Sequence, residues 1–220
     1  MTSDTGTATA RRAPRPRADA LRNRERIVTA AREMFVESGS QVPYDEIARR
    51  AGVGNATLYR NFPERADLVR EVVLSLMARV AELAERAAAE ETDTFAALRR
   101  FIHGAADERV GALCLMLDGA FDRDHPDLVA ERDRLEGVVQ GIVDRAQRAG
   151  RLRADVGVGD LMLAVSQLTR PLPGTACAAF TPFVHRHLQL FLDGLEAPAR
   201  SELPGTTATL EALRRDSCPS

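Results

Sequence analysis

The chain has no lysine, no tryptophan, two tyrosines and three cysteines in 220 residues. All 30 basic residues are therefore arginine. That reflects coding base composition first and bidentate phosphate binding only second. Cys114, Cys177 and Cys218 are scattered, and no pair has metal-ligand or redox-motif spacing. Cys114 and Cys177 read as buried thiols, and Cys218 falls in a terminal segment. No apolar run is long enough to span a bilayer. The N-terminus lacks the continuous apolar stretch of a secretory signal, so the expected location is the cytoplasm. No nucleophile elbow, phosphate loop or nucleotide-binding glycine pattern occurs, and no cofactor is expected. Useful strand alternation and fixed-period repeats are missing as well.

What remains is a folded, helical chain. Apolar residues make up 45% of it, enough for a real core. The net charge of −2 looks poor for a nucleic-acid binder, but its distribution does not. Residues 1–70 hold 13 Arg against 9 acids, a net of +4. Residues 71–220 hold 17 Arg against 23 acids, a net of −6. A cationic front on an acidic body is the asymmetry expected when one part meets phosphate.

Within that front, residues 44–62 read as two short helices joined by a tight turn. Ile47 and Ala48 give the first an apolar side. Gly52 falls where that helix must stop, a place that favours left-handed backbone. Val53 plugs the gap between the helices, and Gly54 and Asn55 suit the next N-cap. Leu58 and Phe62 lie four apart and point inward. Asn55, Ala56, Thr57, Tyr59, Arg60 and Asn61 are left for the exposed end and sides. Asn can bond adenine edges, Thr and Ala can touch a thymine methyl, and Tyr and Arg can hold phosphates. The plain alternative is an ordinary helical hairpin, which a bare helix–glycine–helix pattern fits equally well.

The rest of the chain divides as follows. Residues 1–17 read as a disordered basic arm carrying Arg11, Arg12, Arg15 and Arg17. Residues 18–63 form the helix-turn-helix unit, opened by a helix over Ala18–Ser38 with Ile27, Ala31, Met34 and Phe35 on one face. Residues 64–196 form a larger helical body, and 197–220 a patternless tail expected to be disordered. The body opens with a long helix to about Glu90, striped by Val69, Val72, Val73, Leu76, Val80 and Leu83. Further helices are expected at Thr94–Ala106, Glu108–Ala120, Asp127–Ala149, Leu161–Thr169 and from Thr181-Pro182 onward. The predicted fold class is all-α.

These residues resemble the TetR-type bacterial transcriptional regulators. The match covers roughly Leu21 to Leu74 and is specific there: Ile27, Ala31 and Phe35, then Gly39, Ile47-Ala48, Ala51-Gly52-Val53, residues 57–62, Arg65 and Leu68. The resemblance implies a homodimer binding a double-stranded DNA operator, with a three-helix DNA-binding domain and a body for an unknown small-molecule effector. It places Asn55 and Ala56 at base edges. Thr57 would sit at a base methyl or phosphate, Tyr59, Arg60 and Asn61 on the backbone, and Arg65 on a phosphate. Tyr44 stands where the family often has a phosphate-contacting Thr. The last two helices would pack against their copies in the partner.

In the body, Phe101, His103, Met116, Leu117, Phe121 and Arg170 are the candidates for ligand contact. For each there is a plainer role: core packing, a rim histidine, or a helix C-cap. His185 and His187, two apart on a helix, point in different directions, so no shared metal is expected. Two other readings compete with the regulator: a constitutive DNA-binding architectural protein and a helical enzyme. The apolar body speaks against the first and the lack of an oriented catalytic group against the second.

Overall fold

The computed structural model describes residues 15–39, 41–111, 122, 124–170 and 177–215. These form nine helices: α1 (Arg15–Ser38), α2 (Tyr44–Ala51), α3 (Asn55–Asn61), α4 (Arg65–Glu90), α5 (Thr94–Asp107), α6 (Pro126–Arg148), α7 (Val158–Leu168), α8 (Cys177–Leu195) and α9 (Leu210–Arg215). One isolated bridge, Leu152 to Glu196, is the only extended pairing among the described residues. The chain is all-α. Most of the Glu108–Ala120 segment expected as a helix lies outside the described residues, as do Met116, Leu117 and Phe121.

The helix α4 links the two parts. Its first half buries Leu68, Val69, Val72, Val73 and Leu76, and its second half buries Val80, Ala81, Ala84 and Ala87. The change from branched residues to alanine is a change of neighbour. The early turns face α1, while the alanine-lined turns let α5 and α6 approach closely. At 26 residues the helix is about 39 Å long. Leu83, expected in the stripe, lies at its edge, and its methyls meet the surface of Gly104 on α5. One apolar core runs from Ile27 in the front to Leu195 at the end of α8.

A second connection between front and body is ionic. Glu108, just past α5, accepts hydrogen bonds from Arg32 of α1 (2.6 Å) and from Arg79 of α4 (2.9 and 2.6 Å). Burial alone would push its carboxyl up. Arg79 and Arg32 outweigh that and hold it below the ordinary value. The next residue, Arg109, has φ 54°, so the chain turns sharply as it leaves α5.

Three expectations need correction. The helix α1 begins at Arg15, so the last residues assigned to the disordered arm are helical. The helix α8 begins at Cys177, placing Pro182 inside it rather than at its start. A proline near the first turns forgoes only one backbone bond. The segment from 197 also folds back on the body. Arg153, 6% exposed, binds Asp155 through two nitrogens (2.6 and 2.8 Å) and donates to the Ser201 carbonyl at 2.7 Å. Asp160 accepts from the Gly157 amide (2.9 Å) and from the Ala208 amide (3.1 Å). The returning strand of chain lies directly on Gly159, where a Cβ would be 2.3 Å from the Ala208 carbonyl oxygen. The pattern was invisible because a strap held by main-chain contacts needs no apolar period. Gly159→Ala should lift this strap at a cost of about 1–3 kcal/mol. Limited proteolysis should then cut near residues 203–209 faster than in the parent; unchanged cleavage would refute the docking.

Candidate nucleic-acid interface

The two short helices are held by local backbone chemistry. Gly52 sits at φ 63°, ψ 38°, and ends α2. Its amide donates to the Arg49 carbonyl (3.1 Å) and the Val53 amide to that of Ala48 (3.0 Å), so two of the last carbonyls of α2 are satisfied. Arg26 of α1 donates to the Gly52 carbonyl at 3.0 Å and would lie 2.4 Å from any added Cβ. A side chain at this turn is therefore opposed by the left-handed backbone, and it would also displace the Arg26 guanidinium from the Gly52 carbonyl. Gly54 then caps α3 in extended backbone without a side-chain bond, and its carbonyl accepts from the Thr57 amide at 2.8 Å.

The helix α3 has a sealed side and an open side. Leu58 and Phe62 are fully buried. Arg24 of α1 closes over Phe62 with its guanidinium 4.3 Å from the ring centroid. The same group donates to the Asn61 carbonyl (3.3 Å) and to Glu71 of α4 (2.5 Å), tying the end of α3 to two neighbours. Sequence reading missed Arg24, since nothing local marks an arginine that acts across 37 residues of chain.

On the open side, Asn55, Ala56, Tyr59 and Arg60 are exposed, and Thr57 and Asn61 are half-buried. Tyr59 is 54% exposed, unusual for so large a ring. Arg60 folds along its own helix, donating to the Ala56 carbonyl (3.1 Å) and the Thr57 hydroxyl (3.2 Å). Asn61 donates to the Thr57 carbonyl at 2.8 Å. No carboxylate among the described residues pairs with Arg60, so its charge is available to an anion. Arg50, by contrast, turns back to Glu37 (3.0 Å) and Glu33 (3.5 Å) of α1.

Tyr44 and Arg65 border this surface behind the Tyr59 ring. Tyr44 is only 8% exposed, contrary to a residue held out toward a partner. Its ring packs against Tyr59 at 5.1 Å, and Arg65 lies 5.0 Å from its centroid. Its hydroxyl is buried without a hydrogen-bond partner among the described residues, and burial pushes the phenol pKa up. Arg65 donates to the Val42 carbonyl at 2.7 Å, pinning the start of α4 to the segment before α2. The pair therefore supports Tyr59 from behind.

Of the ligand candidates of the body, Phe101, His103 and Arg170 are among the described residues. Phe101 is fully buried in the core, and Arg170 is exposed beyond α7. His103 is half-buried and meets His185 across 82 residues of chain, which no spacing rule could anticipate. A cleft of about 320 Å³ lies instead between α1, α4 and the end of α5, lined by charged groups including Arg32, Arg79 and Glu108. No helix among the described residues is long and apolar enough to cross a membrane. No cluster of three metal-ligating side chains occurs among them either.

A short capped helix, sealed on one side and polar on the other, mounted on a cationic three-helix unit, defines a helix-turn-helix DNA-binding head. Comparison with known proteins gives the same class. Residues 27–72 match the family model for bacterial regulatory proteins of the tetR family. Residues 91–197 match the SbtR-like transcriptional regulator C-terminal domain. A TetR transcriptional regulator of Streptomyces coelicolor is 29% identical, with 80% of this chain and 99% of that one covered and a TM-score of 0.60. A TetR regulatory protein of Mycobacterium vanbaalenii is 30% identical, covering 82% and 99%, with a TM-score of 0.54. An HTH-type transcriptional regulator of Staphylococcus aureus is 40% identical over 58 residues, 26% of this chain and 31% of that protein. The chain thus spans about a third of the curated relatives it matches. The chain belongs to the TetR family of bacterial transcriptional regulators. The relatives it matches are transcriptional regulators, and residues 27–72 are the part that matches the family's helix-turn-helix model.

Tyr44→Phe removes a buried hydroxyl that has no partner among the described residues, and should leave the fold unchanged or more stable by about 1 kcal/mol. A loss of stability in thermal melts would mean that the hydroxyl has a partner after all.

Proposed function

We propose that the protein is a repressor that binds a palindromic operator as a homodimer and is released by a small molecule. The observation that carries this is the exposed face of α3 in a head whose α1 packs on α4, a single helix that continues into the body, with Arg24 of α1 joining the end of α3 to Glu71 of α4. A shift of the body can be passed along α4 to the head without an intervening joint. A ligand that prefers the conformer with misplaced heads must weaken DNA binding by the same coupling factor.

Asn55 and Ala56 then read base edges, and Thr57 meets a methyl or a phosphate. Tyr59, Arg60 and Asn61 hold the backbone. Arg65 reaches a phosphate while Tyr44 backs Tyr59. The partner interface is assigned to α7 and α8. Leu163 (43% exposed), Phe183 (55%) and Leu190 (59%) stand out from these helices, an apolar set that a second copy would cover. Two heads on a two-fold axis would enter successive major grooves about 34–36 Å apart.

Duplexes selected from a random pool by the full chain should share a palindrome. Arg60→Ala should weaken binding to all of them alike and lower the salt slope by about 0.9. Asn55→Ala should cost about 1–3 kcal/mol at one base position only. Leu190→Glu should shift the chain to monomers in light scattering and abolish palindrome preference. Equal binding to every duplex would support the architectural alternative, and deletion of the gene without a rise in target transcripts would remove the repressor assignment.

A further inference from the structure

His103 on α5 and His185 on α8 face each other with their Nδ1 atoms 2.8 Å apart and their rings stacked at 5.1 Å, 27° from parallel. The Nε2 atom of His185 lies 3.0 Å from a carboxylate oxygen of Asp107, in the last turn of α5. Hydrogen placement follows from the partners. A carboxylate can only accept, so His185 Nε2 carries a hydrogen, and in the neutral ring its Nδ1 is a lone pair. His103 Nδ1 must then be the donor. The three groups form one chain: His103 Nδ1–H to His185 Nδ1, and His185 Nε2–H to Asp107. It leads from α5 across to α8 and back.

We propose that His103, His185 and Asp107 form a proton-operated latch between α5 and α8, closed while at most one ring is charged and opened when both are. One added proton leaves a single hydrogen between the two Nδ1 atoms and makes that bond charge-assisted, with Asp107 as counter-charge. A second added proton puts a hydrogen on both Nδ1 atoms. No acceptor then lies between them, and two cations are stacked face to face. Among the described residues, the other groups facing the pair are Arg99 from α5 and Gln189 from α8, which donates to Asp193 at 2.6 Å. From α4 the neighbour of this part of α5 is the apolar Leu83. Burial draws the His103 pKa below the ordinary histidine value; the Gln189 side chain and Asp107 oppose this, and the charges of His185 and Arg99 add to it.

The sign follows. A histidine with a lowered folded pKa binds fewer protons than in the unfolded chain. The latch therefore contributes fully above the ordinary histidine value; the first proton leaves it closed, and its contribution is lost as pH falls far enough below that value to add the second. The opening has a route to the head. The residue after Asp107 is Glu108, which holds Arg32 of α1 and Arg79 of α4. Loss of the His185 anchor loosens the same turn of α5. This last step rests on the body-to-head coupling proposed above; the latch itself does not.

Hydrogen exchange of the full chain in the presence of EDTA separates the two. Between pH 7.5 and pH 5, corrected for intrinsic rates, amides of residues 104–108 and 184–189 should lose about tenfold protection. In His103→Asn the side-chain amide keeps a donor at the Nδ1 position but cannot titrate, so protection should stay within about twofold. Equal losses in both proteins, or none in the parent, would overturn the latch. Should the variant fold poorly, the ring Cε1 proton resonances of the parent suffice. His103 should titrate below the ordinary value and respond to His185→Gln. Titration of His103 at the ordinary value, unmoved by His185→Gln, would overturn it. Stabilisation by one equivalent of zinc at pH 7.5, lost in His103→Asn, would make the pair a metal site instead and also overturn the proposal. Affinity for a selected duplex should fall on acidification in the parent more than in His103→Asn. An open latch with unaltered affinity would leave the latch standing and remove its link to the head.

Discussion

The burial of Leu58 and Phe62 is the constraint on which the rest of the head depends. A helix of seven residues cannot hold its shape in water alone. Two side chains one turn apart, both fully enclosed, hold it down at two points and fix its rotation about its own axis. Once that rotation is set, Asn55, Ala56, Tyr59 and Arg60 have no choice but to face out. The neighbouring devices serve the same end. Gly52 sets the angle between α2 and α3, Arg24 seals the far end, and Tyr44 fills the space behind Tyr59.

The head was legible in the sequence because its determinants are local. Glycine at a left-handed stop, an i, i+4 apolar pair and a run of polar residues between them lie within twenty residues of chain. The helices of the body were legible for the same reason, through their apolar stripes and their caps. What escaped was whatever joins distant segments through polar atoms. Arg24 acts on Asn61, His103 on His185, Glu108 on Arg32 and Ala208 on Asp160. Each contact spans between 37 and 82 residues and leaves no periodic trace. Tyr44 escaped differently. Its position suggested a contact residue, but an aromatic ring next to Tyr59 and Arg65 gains more from packing than from exposure.

The short turn at Asp107 and Glu108 brings together elements that the apolar core only brings near. Asp107 bonds to α8, which carries the surface assigned to the partner subunit, while Glu108 bonds to α1 and α4. Apolar packing between helices tolerates small sliding at little cost. Charge-assisted bonds of 2.6–3.0 Å do not, since they are lost within about an ångström. In the proposed switch, the turn makes the position of the head depend on that of the body in a stepwise way. A binding head that must be either well placed or misplaced benefits from such a step.

The strap after residue 197 lies outside the stretch that matches the SbtR-like domain, which ends at that residue. A truncation chosen from family boundaries would therefore look conservative and would not be. It would strip the cover from the main chain of Gly157 and Gly159, take the Ala208 amide from Asp160 and leave Arg153 without the Ser201 carbonyl. All of these lie at or just before the opening turn of α7. For this chain the natural unit of expression extends to at least Arg215, and an affinity tag fused closer in would compete with the protein's own last segment for its seat.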